Sequence, residues 1–128
     1  MILGTGIDSV EIARVAEKCA DGSHRFAERL FTDLERARAA RYKLSPYQHL
    51  AACFAAREAF FKATQINYQY DGVSVTQYPS GQPYYLLKPE IARRLEMLAT
   101  QPGMKIRLHL ALTHDQTHAT AVCICEEL

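Results

Sequence analysis

Between Pro46 and Gly72 the chain has neither glycine nor proline, and from Leu50 to Ala63 almost every residue is apolar or small. Ser45-Pro46 sets the start of this run: serine suits a helix N-cap, and proline suits the first turn, where its missing N–H is not needed. The spacing predicts a helix from Pro46 to about Thr64. Lacking a polar face, it reads as a central, buried element. Any fold for this chain must therefore wrap its other elements around one long helix. Only Arg57, Glu58 and Lys62 carry charge in the helix interior.

The segments before it supply one strand and several short helices. Over Met1–Val10, Leu3, Thr5 and Ile7 fall on one side and Gly4, Gly6 and Asp8 on the other. That period of two predicts a strand with one face reduced to glycine and ended by a carboxylate. Glu11–Cys19 repeats Ile12, Val15, Ala16 and Cys19 at helical spacing. After the break Asp21-Gly22-Ser23, Phe26, Ala27, Leu30 and Phe31 predict a short helix. Thr32-x-x-Glu35 has the form of a capping box, opening a further helix to about Ala40.

Strands dominate the remainder. Gly72–Tyr78 and Tyr84–Leu87 flank the turn Pro79-Ser80-Gly81-Gln82-Pro83. Pro89 to about Ala99 reads as a helix ended by Pro102-Gly103. Arg107–Thr113 and Ala119–Cys125 alternate around a His114–His118 turn and should pair as a hairpin. The predicted class is α+β, one domain over 1–128, with a long central helix packed on an antiparallel sheet.

Charge and cysteine usage narrow the function. Lys+Arg total 15 against 14 Asp+Glu, a formal charge of +1, which argues against a basic nucleic-acid binder. No apolar run approaches the ~20 residues of a membrane span, and no basic-then-apolar segment opens the chain. The expectation is a cytoplasmic protein with no nucleic-acid or membrane partner. Cys19, Cys53, Cys123 and Cys125 form no C-x-x-C and lack histidines at zinc-ligand spacing. They read as reduced, buried thiols, with Cys123 and Cys125 on one strand face. Gly4-Thr5-Gly6 lacks the third glycine of a dinucleotide fingerprint, and no G-x-S-x-G occurs.

Four features remain for chemistry. Glu58 shares a helix face with Ala51, Phe54, Ala55, Phe61 and Lys62, and a carboxylate there must be paired, protonated or metal-bound. An i,i+4 ion pair with Lys62 is the plain alternative. Asp8 closes a glycine-faced strand, which leaves room for a ligand, although an acid beside glycine also suits an ordinary turn. Two carboxylates with water and phosphate oxygens are a normal set for Mg²⁺. The third feature is a run of cations (Arg36, Arg38, Arg41, Lys43 and Arg57) with no acid after Glu35 until Glu58, a pattern that suits a polyphosphate or a solvated face. The fourth, His114, ends a strand at a turn, where a histidine is commonly a surface residue.

The whole chain resembles the holo-acyl-carrier-protein synthases, the small 4′-phosphopantetheinyl transferases. The likeness is carried by Gly6-Ile7-Asp8-Ser9-Val10-Glu11-Ile12-Ala13-Arg14, by Arg25 through Thr32, and by Phe54-Ala55-Ala56-Arg57-Glu58-Ala59-Phe60-Phe61-Lys62-Ala63. Gly81-Gln82-Pro83 and Leu110-Ala111-Leu112-Thr113-His114 continue it in the same order. The resemblance implies a homotrimer with active sites at subunit interfaces, each taking coenzyme A and Mg²⁺. Asp8 and Glu58 would hold the metal, Lys62 would neutralise phosphate charge, and Arg57, Pro83 and His114 would line the coenzyme site. Asp8, Glu58 and Lys62 would be the catalytic set, with Glu58 or a water on the metal taking the proton. Arg14 would open the helix on which an acyl or peptidyl carrier protein docks. The implied activity is transfer of 4′-phosphopantetheine from coenzyme A to a carrier serine, releasing adenosine 3′,5′-bisphosphate.

This chain also departs from the family pattern. Arg57 stands for a usual lysine, Cys53 for a usual arginine, Gln65 begins a segment normally rich in glycine, Gln82 replaces a cation and Ala111 a serine. The rival expectation is therefore a non-catalytic trimeric relative that binds a carrier protein as a scaffold or regulator.

Overall fold

A computed structural model describes residues 1–20, 29–42, 45–69 and 71–128. The chain runs β1 (Ile2–Glu11), α1 (Ile12–Ala20), α2 (Asp33–Ala39), α3 (Pro46–Thr64), β2 (Val73–Gln77), β3 (Pro83–Leu87), α4 (Pro89–Glu96), β4 (Ile106–His114) and β5 (His118–Glu127). The expected helix with Phe26 and Ala27 lies partly outside the described residues. The expected antiparallel sheet is two: a three-stranded sheet in the order β1-β5-β4 and a separate β2-β3 hairpin. Among the described residues, no helix is long and apolar enough to cross a membrane.

The long helix α3 begins and ends where proline and the following sequence place it. Ser45, however, makes no side-chain cap, because its backbone (φ −150°, ψ 53°) departs from the extended N-cap geometry that aims a hydroxyl at the first turn. Proline alone marks that start. Helix α4 stops three residues short of Ala99, and its exit tightens into i→i+3 bonds from Leu98 to Leu95 and from Ala99 to Glu96. The capping box at α2 forms as read: Thr32 Oγ1 accepts from the Glu35 amide, and the Thr32 amide donates to Glu35 Oε1 at 3.0 Å.

Helix α3 lies on β1 and β5 through small residues on both sides. Gly4 pairs with Cys125, Gly6 with Cys123 and Asp8 with Ala121 across the β1–β5 ladder, so these side chains share one face. Ala121, Cys123 and Cys125 are fully buried there, as are Ala51, Ala55, Ala56 and Ala59 of α3. All four cysteines are reduced, and Cys53, Cys123 and Cys125 are buried. The approach is closest at the glycines. A Cβ on Gly6 would lie 2.0 Å from the Ala59 carbonyl oxygen, and one on Gly4 2.0 Å from that of Ala63.

The hairpin covers another side of α3. Tyr85 of β3 donates its hydroxyl to the Ala56 carbonyl at 2.5 Å, and its ring packs on Phe60. Val73 and Val75 of β2 are buried with them. The outer face of β1 is different: Thr5, Ile7 and Ser9 are exposed, Ile7 to 62%.

Because backbone oxygen blocks the space, Gly6→Ala forces helix and strand apart rather than shifting a rotamer. Overpacking of this kind costs about 1–3 kcal/mol, and chemical denaturation should show at least that loss. A midpoint unchanged from the parent chain would mean that this contact is looser than described.

Candidate active site

The tight seat of α3 brings the two acids singled out above to one edge of the helix and sheet. Ala63 lies over Gly4 and Ala59 over Gly6, so the helix runs antiparallel to β1 and its earlier residues face the Asp8 end of the strand. Lys62 projects from the flank of α3, and its Nζ donates to the Ile7 carbonyl at 2.9 Å and to Asp8 Oδ1 at 3.2 Å. The Asp8 side chain is only 18% exposed, whereas that of Lys62 is 48% exposed. The i,i+4 pair between Glu58 and Lys62 does not form, since Lys62 bonds to a carboxylate 54 residues away in sequence.

Glu58 stands one turn before Lys62, half-buried, and makes no ion pair or hydrogen bond among the described residues. It lines a cavity of about 370 Å³ with Phe61, Asn67 and Tyr68. Asp8 lines a neighbouring cavity of about 290 Å³ with Arg14 and Lys18 of α1. Leu30 and Phe54 form walls of both, so the two cavities adjoin. Burial pushes the Tyr68 phenol up to about 12; the Arg57 charge opposes this, and the nearby Glu58 carboxylate adds to it. Phe54 was readable as a neighbour of Glu58 on the helix face, whereas Asn67 and Tyr68 carried no signal in the sequence, because only the folded chain returns residues 67–68 to the helix flank.

Arg57 sits beside Glu58 but turns inward. It is 4% exposed, donates to the Leu30 carbonyl, lies 5.5 Å from the Phe31 ring centroid and has Glu35 Oε1 at 3.7 Å from Nη1. Glu35 is fully buried and also accepts from the Thr32 and Val75 amides, each at 3.0 Å. Burial raises the Glu35 carboxyl above the ordinary range, while Arg57 and these amides pull it back. Arg57 thus ties α3 to α2 and β2 directly behind the Glu58 cavity.

The remaining predicted residues lie elsewhere on the chain. Pro83 and His114 line a third cavity with His49, Cys53, Thr76 and Gln77. His114 pairs with Ala119 on β5, which pairs with Val10 on β1. The strands of His114 and Asp8 are therefore separated by β5, roughly 10 Å apart across the sheet. Asp115 fixes the adjoining turn by accepting from the Thr117 and His118 amides at 2.8 Å. Within one chain the structure groups Asp8, Glu58, Lys62, Arg57 and Arg14, and separates Pro83 and His114 from them.

Two departures from the family pattern have visible structural roles. Gln65 caps α3 in the left-handed region (φ 60°), where glycine is normally preferred, and its side-chain amide donates to the Lys62 carbonyl at 3.1 Å. Gln82 ties the β2–β3 turn to the Leu110 carbonyl at 3.2 Å. Ala111 is exposed on β4.

The donor set at the Asp8–Glu58 edge is chemically specific. Among the described residues no three His, Cys, Asp or Glu side chains cluster for a metal. A cation there would receive at most the two carboxylates from this chain and take its other ligands from water or a phosphate. That hard, oxygen-only and incomplete set fits Mg²⁺ and does not fit zinc.

The Arg57–Glu35 pair makes a direct stability prediction. Arg57→Met leaves a buried carboxylate without its cation and should cost about 3–5 kcal/mol in denaturant titration. A loss well under 1 kcal/mol would remove the pair from the supports of this site.

Comparison with known proteins shows the family of the chain. Residues 4–123 match the family described as the 4′-phosphopantetheinyl transferase superfamily. The chain is 38% identical to the holo-[acyl-carrier-protein] synthase of Nitrobacter hamburgensis, over 97% of this chain and 94% of the relative. It is 36% identical to that of Sphingopyxis alaskensis, over 100% and 98%. Among solved structures, the holo-[acyl-carrier-protein] synthase from Neisseria meningitidis superposes with a TM-score of 0.84 at 26% identity, covering 98% of this chain and 99% of that one. A Chronobacterium ammoniagenes ACPS-CoA complex superposes with a TM-score of 0.78 at 29% identity, over 98% and 97%. The central helix, its Glu58 and Lys62, and the strand-end Asp8 therefore belong to a member of the 4′-phosphopantetheinyl transferase superfamily.

Proposed function

We propose that this chain transfers 4′-phosphopantetheine from coenzyme A to a serine of an apo acyl or peptidyl carrier protein, releasing adenosine 3′,5′-bisphosphate. The observation that carries this reading is the Lys62–Asp8 contact at 3.2 Å, with Glu58 one helical turn away. It gathers two acids and one cation at the mouth of adjoining cavities. The serine oxygen attacks the β-phosphorus of the coenzyme, and the bond from that phosphorus to the bridging oxygen breaks. Glu58 takes the hydroxyl proton on its carboxylate. Lys62 offers its ammonium to the departing phosphate, whose charge grows as the bridging bond breaks. Asp8 holds Lys62 at the strand end, and Arg57 keeps the wall behind Glu58 in place.

Asp8 and Glu58 are the residues that would hold Mg²⁺, which supplies charge neutralisation on the pyrophosphate. Arg14 is exposed on α1 and lines the cavity that contains Asp8, which suits docking of an acidic carrier helix at the site entrance.

The test is the mass of the carrier after incubation with coenzyme A and Mg²⁺. The parent chain should add one phosphopantetheine group, and Glu58→Gln should slow the reaction by about 10²–10⁴-fold. Near-normal turnover in Glu58→Gln would reject this role. No mass gain from any cognate carrier, with no coenzyme binding, would favour a non-catalytic scaffold or regulator.

Trimerisation is part of the same proposal. Two features support it: the His114 cavity lies apart from the Asp8–Glu58 edge within one chain, and the outer face of β1 leaves Ile7 62% exposed. A site shared between copies predicts complementation. Asp8→Asn and His114→Ala chains, each impaired alone, should recover activity when refolded together, and sedimentation should report three chains. A monomer, or no recovery in the mixture, would reject the shared site.

A further inference from the structure

Asp8 is called on by two cations. The Lys62 ammonium donates to its Oδ1 at 3.2 Å, and the donor set makes the same carboxylate a ligand for a divalent ion. An ion on Asp8 would share one carboxylate with the ammonium. Like charges held so close repel strongly, the more so where the acid's side chain is only 18% exposed.

The partners in that contact differ in freedom. Asp8 follows Gly4 and Gly6 on the strand seated against the backbone of α3, which fixes its position. The Lys62 side chain is 48% exposed and carries its charge on a flexible four-carbon stem. The backbone at Lys62 is pinned, since the Gln65 side-chain amide donates to its carbonyl at 3.1 Å, so the side chain is the part that can move. Its second acceptor, the Ile7 carbonyl at 2.9 Å, belongs to an edge strand of the sheet, where water can replace an ammonium. Glu58, one turn away on the same helix, offers the lysine no other home, because it is the second carboxylate of the same donor set. With both acids engaged by the ion, the anion left for Lys62 is one on the substrate.

We infer that Lys62 and a divalent ion exclude one another at Asp8, so that binding of the ion hands Lys62 over to the coenzyme pyrophosphate. The exclusion stands on the Lys62–Asp8 contact alone; the handover rests on the coenzyme reading above. The consequence is cooperative binding. The ion releases the lysine that the phosphate needs, and the coenzyme, by holding that lysine, keeps it off the carboxylate that the ion needs. Lys62 therefore couples the two ligands in addition to neutralising charge.

Two measurements without turnover test this. Modification of Lys62 by an amine-acylating reagent, followed by peptide mass with exposed Lys105 as the internal reference, should quicken about threefold with Mg²⁺ alone. It should slow again when coenzyme A is added. Unchanged labelling of Lys62 at saturating Mg²⁺ would overturn the exclusion, and this arm needs no variant and no coenzyme. Mn²⁺ binding, read from its electron paramagnetic resonance signal in the parent chain and in Lys62→Met, separates exchange from plain repulsion. Coenzyme A should tighten Mn²⁺ binding to the parent chain, and that enhancement should be about fivefold smaller in Lys62→Met. If Lys62→Met tightens Mn²⁺ by the same factor with and without coenzyme A, the lysine only repels the ion and the handover is overturned. No effect of coenzyme A on Mn²⁺ binding to the parent chain would overturn it as well. Coupling that persists in a parent chain unable to modify any carrier would support the handover and reject the transferase reading alone.

Discussion

The architecture depends on how closely α3 can approach the β1–β5 ladder. That approach exists because glycine, alanine and cysteine face one another where larger side chains would hold helix and sheet apart. Ordinary packing of a helix on a sheet uses branched side chains as spacers. Here backbone meets backbone at Gly4 and Gly6, and the register of helix against strand is fixed by steric exclusion as much as by apolar area.

Rigidity at that seam sets where the polar groups emerge. Lys62 reaches the Ile7 carbonyl and Asp8 because the flank of α3 passes close beside the strand end. Glu58 follows one turn earlier on the same helix. Behind them, the Arg57–Glu35 pair joins α3, α2 and β2, so the wall of the Glu58 cavity is held by charge-assisted hydrogen bonds rather than by a flexible loop. The chemistry is thus mounted on regular elements, with side chains supplied from several of them.

Much of this was legible in the sequence, for identifiable reasons. The helix from Pro46 to Thr64 was readable because proline starts it and nothing breaks it, and the face of Gly4, Gly6 and Asp8 because strand alternation is strict. The family likeness pointed to Asp8, Glu58 and Lys62 together. What could not be read were choices made across long sequence distance. Lys62 has an acid one turn away yet bonds to Asp8, and Arg57, within a cationic run, is consumed by a buried glutamate from another helix. The Ser45 hydroxyl fails to cap because a backbone torsion, invisible in residue identity, turns it aside. The division of the strands into two sheets was also unreadable, since alternation reports faces and not neighbours.

The two faces of β1 answer to different constraints. Gly4 and Gly6 are confined by their own chain, whereas Thr5, Ile7 and Ser9 are open to whatever lies outside it. Substitution is consequently constrained differently on the two sides of the strand. Gly4 and Gly6 have no room for a side chain, while Thr5, Ile7 and Ser9 can change to suit a neighbouring surface without disturbing the seat of the helix.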